Sequence, residues 1–472
     1  MASSFISFPI LTRVFSVSDY GVLGIISTTL LIATSISKLG FPESILRFYA
    51  EFKYVDKLKT FYSTLFFSSL ATGTTIALLL LVSTQLMRDK LDVKILNLVP
   101  IISIHIITSG ITAIMLTYLR AEQRTRFYNV IMIIQRYVSL GLGIFLIHYF
   151  IKGLYGFYVG LIISGLAMLS YLIYVFHGRI RLNPASFSWD IFSKSIKFGF
   201  PLVLNELGAL LLNYIDRYFI QFYVGSKGLG LYTAGYNLAT YATDAIIYPI
   251  GYAMTPIYMN ILIIRGEDET KIFLGNTLKY FFLISIPMAF GFVAIGRDLL
   301  ICLASSKYAE ANIILPYVIA GQFFHASTLI LNCGLLIRKK SHVIALITLA
   351  TMILNIGLNF IMIPNLGILG AAQATLISYF VYGILITYYS FKDFSFKIDY
   401  RSIMLYVVIS IGMYFVIGVV DYRSNLLNLF IKILIGVVFY LGLIIILDKE
   451  VKNGVYGILK DQFMKTGREP EK

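Results

Sequence analysis

Thirteen apolar stretches, separated by short charged turns, leave this chain little choice of fold. A helix rises ~1.5 Å per residue, so a bilayer core of ~30 Å takes about 20 apolar residues to cross. The stretches run Tyr20–Leu39, Phe61–Ser83, Asn97–Leu119, Tyr128–Phe150, Leu154–Phe176, Phe198–Tyr223, Tyr232–Met254, Leu274–Ile295, Ile313–Ile337, Val343–Ile363, Gly370–Tyr389, Ser402–Val420 and Leu426–Leu447. With 58% hydrophobic and 13% charged residues and a mean hydropathy of +0.82, the composition excludes a soluble domain. Lipid offers no partner for a backbone N–H, so the expected fold is an all-α polytopic membrane protein. A stub, Ala2–Leu11, precedes the first full stretch and is too short to span alone.

The net charge of +15 could suggest nucleic acid, but its placement points to membrane topology. With the segment before Tyr20 running outward, 25 of the 39 basic residues fall in the alternate loops and the tail that this orientation puts in the cytoplasm. Nine fall in the outer loops. That bias follows the positive-inside rule and places the C-terminus in the cytoplasm. The tail, 448–472, is polar and reads as a solvated end. Cys302 and Cys333 form no CxxC and no metal-ligand spacing, and read as apolar fillers. No basic n-region or small-residue cleavage site marks a signal peptide.

The chain also repeats itself. "GLYGFYVGLIIS" at Gly153 matches "GILGAAQATLIS" at Gly367 at an offset of 214. "SVSDYGVLGI" echoes "GSKGLGLYTA" at Gly225, aligning Gly21 with Gly230 at an offset of 209. "YLRAEQR" at Tyr118 lines up with "LLIRKKS" at Leu335. Both halves start on the same side, so the repeat is parallel, about an axis along the membrane normal. Such an architecture predicts a transporter with its substrate site between the halves. At the 209 offset Met1 aligns with Leu210, so the first helix is expected to be shortened, its true start lying upstream of Met1.

"ISFPILTRVFSVSDYGVLGI", "SKLGFPESILRFYAEF", "NYIDRYFIQFYVGSKGLGLYTAGYNLA", "SSKYAEANIILPYVIAG" and "NFIMIPNLGILGAAQATLIS" resemble the polysaccharide (O-antigen type) flippases. That family belongs with the multidrug MATE exporters and peptidoglycan-precursor flippases in the multidrug/oligosaccharidyl-lipid/polysaccharide (MOP) superfamily. The resemblance covers nearly the whole chain and departs at the shortened first helix. It implies about 14 transmembrane helices: a six-helix lobe over 1–196, a second over 197–391, two more helices over 392–447, and the tail. It further implies a central cavity that moves an undecaprenyl-diphosphate-linked oligosaccharide from the cytoplasmic to the periplasmic leaflet of the bacterial inner membrane. Polysaccharide polymerases are its expected partners.

Polar residues at helical spacing give that cavity its candidates. At ~100° per residue, Glu206, Asn213, Arg217 and Gln221 lie within about 80° of one another on the seventh helix, counting the stub as the first. Asn237, Thr240, Asp244, Tyr248, Gly251 and Thr255 form a second stripe on the eighth, and Ser27, Thr34 and Lys38 a thinner one on the second. Polar stripes in a membrane face protein or water. Asp216 and Arg217, adjacent in sequence, point ~100° apart, so Asp216 needs a donor on a neighbouring helix. The pair is either a structural lock at the outer rim or a contact to sugar or diphosphate. Arg136 suits a diphosphate, because guanidinium binds phosphate oxygens bidentately, or a pairing with Glu206 or Asp244. Lys38 and Arg47 lie at the inner end of the second helix, where a diphosphate would arrive; positive-inside anchoring also accounts for Arg47. Glu206 and Asp244 are candidates for proton or sodium coupling, or counterions of a cationic cavity. Tyr241 and Tyr248 could stack on sugar rings. His105, His148 and His325 have no ligand spacing.

No GxxxxGK[ST] loop is present, so this chain carries no ATP-hydrolysing motif. No catalytic constellation or cofactor motif appears. The drive is expected from an ion gradient, from the membrane potential or from use of the product outside. A multidrug exporter of the same fold is the alternative, which intramembrane Arg136 and Arg217 disfavour. A polymerase or ligase would need a sizeable outer loop, and the longest, Arg297–Asn312, is short.

Overall fold

A computed structural model describes residues 2–177, 182–422 and 425–453, without the side chains of residues 2–4, 90, 248, 252 and 425. Arg179, Arg181, Arg423 and the tail from residue 454 therefore lie outside the described residues. Every regular element among those described is helical. After α1 (Ala2–Val14), the first crossing is α2 (Val17–Lys38) with α3 (Phe41–Tyr54). Then follow α4 (Leu58–Leu86), α5 (Val93–Ala121), α6 (Thr125–Tyr149) and α7 (Leu154–Phe176). The next crossing is α8 (Trp189–Tyr214), continued by α9 (Asp216–Tyr223), and after it α10 (Ser226–Arg265) and α11 (Glu267–Leu299). A π-turn over Leu300–Ala304 and a 3-10 helix over Ser306–Ile314 lead into α12 (Leu315–Leu331) and α13 (Cys333–Ile337). The chain ends with α14 (Ser341–Leu366), α15 (Ile368–Asp393), α16 (Tyr400–Gly418) and α17 (Asn425–Leu447). Thirteen of these segments are long and apolar enough to cross a membrane, one for each apolar stretch of the sequence. The stretch Arg297–Asn312, expected as the longest outer loop, is helical over most of its length.

The caps are local and legible. Ser16 accepts from the Asp19 amide at the start of α2, Asp92 from Lys94 at α5, and Ser188 from Ile191 at α8, each satisfying a donor the helix cannot. Two compact units result. The first comprises Ala2–Thr233 with Thr348–Ala371, the second Ala234–Ile347 with the chain from Ala372. The first has a core of Phe41, Ile45, Phe61, Leu65, Ile114, Leu119 and Leu172, with Tyr62 and Tyr118 edge-to-face at 3.9 Å. In the second, the buried ammonium of Lys279 (α11) meets Asp399 at 3.1 Å and Glu450 at 2.6 Å, while Lys432 (α17) meets Asp298 at 2.8 Å.

The repeat returns as matched backbone geometry. Left-handed Gly153 (φ 77°) and Gly367 (φ 58°) precede α7 and α15, at the sequence offset of 214. Asp56 (φ 53°) and Gly266 (φ 87°) precede α4 and α11. At the basic turn, the Gln123 amide donates to Arg120 O and that of Arg124 to Leu119 O, while Lys339 donates to Leu336 O and Lys340 to Leu335 O. These bonds align the two turns at 216 rather than the 217 of the sequence match, because left-handed Gln123 and Lys339 set the register. Gly21 and Gly230 also meet. A Cβ on Gly21 would stand 2.0 Å from Ser226 O, and one on Gly230 1.9 Å from Val17 O. Each residue of this reciprocal contact is 209 positions from its counterpart.

A charged pocket in the first unit as candidate functional site

α2 stops at Lys38 because Leu39 (φ 47°) and Gly40 (φ 72°) both turn left-handed and Pro42 cannot continue the hydrogen-bond ladder. That turn puts Lys38, Gly40, Pro42 and Glu43 on the rim of a pocket of about 270 Å³. Ala113, Leu116, Thr117 and Arg120 of α5, Tyr128 and Met132 of α6 and Glu206 of α8 complete it. Two cations and two carboxylates thus share one small space. Among the described residues none of the four forms an ion pair. The Arg120 guanidinium sits 5.6 Å from the Tyr128 ring centroid, a cation–π contact that leaves its N–H fork available. Ammonium and guanidinium together suit phosphate oxygens, and carboxylates suit sugar hydroxyls or amines.

The other sequence candidates scatter. Arg47 is exposed on α3, its guanidinium 5.9 Å from the Phe48 ring, and Arg136 is exposed on α6; neither lines the pocket. Asn213 is half-buried and donates to Ala209 O at 2.7 Å. Asn237 and Asp244, both half-buried on α10, belong to the second unit. There Thr240, on their stripe, accepts from the Gln322 amide at 2.9 Å. The Tyr248 side chain lies outside the described residues.

The stripe from Glu206 to Arg217 is divided. α8 ends at Tyr214, and the Ile215 carbonyl takes a tight bond from the Tyr218 amide at 3.1 Å. Glu206 is exposed to the pocket, whereas Asp216 and Arg217 are 2% and 4% exposed. Asp216 accepts a hydrogen bond from the Tyr232 hydroxyl on α10, the neighbouring-helix donor its position requires. Arg217 donates to Thr28 of α2 at 3.4 Å and lies 4.4 Å from the Tyr214 ring. Next to it, the Tyr218 hydroxyl and Thr29 are 2.8 Å apart. α9 is thereby tied to both α2 and the start of α10.

Sequence reasoning missed Glu43, Arg120 and Tyr128 as pocket residues. Glu43 lies within the quoted "SKLGFPES", but Arg120 belongs to a basic turn that the positive-inside rule already explained. It also missed Asn355 and Asn359 on α14, fully buried, with Asn359 Nδ2 donating to Asn355 Oδ1 at 2.8 Å and Asn359 Oδ1 without a hydrogen bond among the described residues. Their spacing of four residues on one face was the available signal.

Comparison with known proteins fixes the family. Residues 10–313 match the model of a family described as polysaccharide biosynthesis protein. A Haloferax volcanii protein named "Probable low-salt glycan biosynthesis flippase Agl15" is 22% identical over 241 residues, 50% of this chain and 51% of that one. A Shigella flexneri protein named as an O-antigen transporter is 25% identical over 214 residues, 45% and 50% of the two chains. The chain thus spans about half the length of these relatives. The lipid II flippase MurJ, solved in an inward closed conformation, superposes with a TM-score of 0.79 over 95% of this chain and 97% of its own, at 16% identity. A polytopic membrane protein with a fold like that of MurJ, the chain belongs to the polysaccharide biosynthesis protein family.

Proposed function

We propose that this protein is a flippase that carries a lipid-diphosphate-linked oligosaccharide from the cytoplasmic to the outer leaflet of the bacterial inner membrane, for surface polysaccharide assembly. The observation that carries the reading is the pocket in which Lys38 and Arg120 stand unpaired beside Glu43 and Glu206. The cations would take the diphosphate and the carboxylates the sugar. The family and the flippase relatives supply the substrate class, and the undecaprenyl carrier rests on the family resemblance of the motifs.

Translocation would proceed by alternating access of two lobes, residues 1–196 and 197–391, with 392–447 as additional helices and a cytoplasmic C-terminus. Arg47 and Arg136 would guide the anionic headgroup rather than hold it. Asn213 and Asn237 would line the path. Coupling to sodium or protons would engage Asp216, Glu206 or Asp244. Asp216 is buried, and the orphaned amide oxygen of Asn359 lies in the same unit. Arg217 would steady α9. A polysaccharide polymerase would take the product.

The test is a reconstituted-vesicle assay with a fluorescent undecaprenyl-diphosphate oligosaccharide in one leaflet. Lys38→Ala and Arg120→Ala, at equal protein level, should each slow translocation at least ~10-fold, the loss expected when a charge-assisted phosphate contact is removed. Arg136→Ala should slow it less. Wild-type vesicles that leave the lipid in place but expel an organic cation would establish the exporter instead.

A further inference from the structure

The pocket's rim is also a seam between helices of different repeats. Gly40, which lines the pocket, meets Gly199 of α8 backbone to backbone. A Cβ on Gly40 would stand 2.3 Å from Gly199 O, and a Cβ on Gly199 2.4 Å from Gly40 O. One turn along, Ser44 Oγ donates to Ser195 O at 2.7 Å, while the fully buried Ser195 Oγ has no hydrogen-bond partner among the described residues. Beyond it the Phe48 and Phe198 rings pack at 5.4 Å, Lys194 lies 4.9 Å from the Phe48 ring, and Lys194 pairs with Glu51. The seam therefore grades from bare backbone beside the pocket to aromatic rings and an exposed ion pair at its far end.

Two properties set this contact apart from ordinary core packing. A glycine pair approaches closely yet has no side chains to interdigitate, so separating it opens little apolar surface. The buried orphan hydroxyl of Ser195 gains a partner when water enters, which lowers the cost of parting. We propose that the α3–α8 seam, with Gly40, Ser44, Ser195 and Gly199 at its centre, is the inner gate of the charged pocket, shut in this structure and parting to admit the headgroup. The inference rests on the pocket being the substrate site, but its opening is measurable without a substrate.

The experiment uses full-length protein in vesicles with Cys302 and Cys333 replaced by alanine. Ser195→Cys is exposed to a membrane-impermeant maleimide on the side bearing the inner loops. Labelling over minutes is expected although the position is buried, and adding Gly199→Ala, whose Cβ cannot coexist with the closed backbone contact, should raise the rate at least ~5-fold. Monodisperse elution in detergent checks folding, and Leu212→Cys, buried on the same helix away from the seam, should stay unlabelled. A Ser195→Cys no faster than Leu212→Cys in both backgrounds would overturn the gate. As a second arm, the Ser44→Cys/Ser195→Cys pair, oxidised to a disulfide, should abolish translocation, with recovery on reduction. Undiminished translocation by the cross-linked protein would also overturn the gate. Absence of translocation by the unoxidised parent would overturn the flippase reading and leave the labelling result to decide the gate.

Discussion

The α2–α3 crossing and α10 occupy equivalent places in the two repeats, yet only their N-terminal halves agree. There the equivalent glycines, Gly21 and Gly230, lie against each other, and α9 is tied to both helices, through Thr28 and Thr29 on one side and Tyr232 on the other. Further in they part. Where the first repeat breaks at Leu39–Gly40, the 209 offset places Tyr248–Pro249, and α10 runs on unbroken for 40 residues through Pro249 and Pro256. A left-handed Gly gives a sharp turn and lets another backbone approach. A proline removes one hydrogen bond but lets a membrane helix continue. The repeat therefore preserved the contact that joins its copies and diverged where the charged pocket lies.

The difference between the two repeats is open to mutation at several points, with the largest effect at the α9 tether. Asp216→Ala should cost about 3–5 kcal/mol, because the buried Tyr232 hydroxyl loses its acceptor and the buried charge of Arg217 beside it is left uncompensated. Thr28→Val, which removes the long hydrogen bond from Arg217 and a bond to Gly24 O within α2, should cost about 1 kcal/mol or less. Chemical unfolding in detergent measures both, and equal losses would mean that α9 does not depend on the α10 side more than on α2.

Gly21→Ala and Gly230→Ala should each cost about 3 kcal/mol, and the two losses should be similar, since each new Cβ meets a backbone carbonyl at about 2 Å. A twofold difference would show that the contact is reciprocal in geometry but not in energy. Gly40→Ala follows at about 2 kcal/mol, from the left-handed backbone and the Gly199 contact together. Pro249→Ala, its counterpart by offset, should change stability by less than about 1 kcal/mol or raise it, since alanine restores a helix donor. Matching losses at Gly40 and Pro249 would mean that the break in α2–α3 and the continuous α10 are energetically alike.

The smallest effect lies outside both helices and marks the floor of the series. Asp399, before α16, is held at a pKa of about 2 by the Ser402 hydroxyl, the Ser402 amide and the Lys279 ammonium, against the cost of partial burial. Its folded value is depressed, so its stabilisation is complete above its ordinary value of ~3.9 and is lost as pH falls toward 2. Between pH 6 and pH 3, wild-type unfolding temperature should fall more than that of Asp399→Asn. The difference should stay under about 2 °C, because the Asp399 side chain is 39% exposed and solvent screens its charge.

Much of this was legible in the residues. The thirteen crossings, the parallel repeat and the need of Asp216 for a donor on another helix follow from apolar run length, glycine matches and helical angle. Those are properties of single segments, which lipid forces to satisfy their own backbone. Glu206 and Lys38 were legible as polar positions, but not as neighbours. Their meeting with Arg120 and Glu43 depends on a left-handed turn at Leu39, where a leucine gives no local warning. The split of the Glu206–Arg217 stripe was hidden as well, since Ile215 carries no helix-breaking residue type and the tight bond at Tyr218 appears only in the folded chain.

The sequence by itself determined a membrane protein of repeated helices, because hydrophobic length and periodicity act within one segment at a time. Only the tertiary structure decided which ions are buried together, which stand unpaired around a pocket, and which glycines bear on one another. Those outcomes depend on close approach between segments far apart in the chain, where a shift of one Cβ or one helical turn changes every partner.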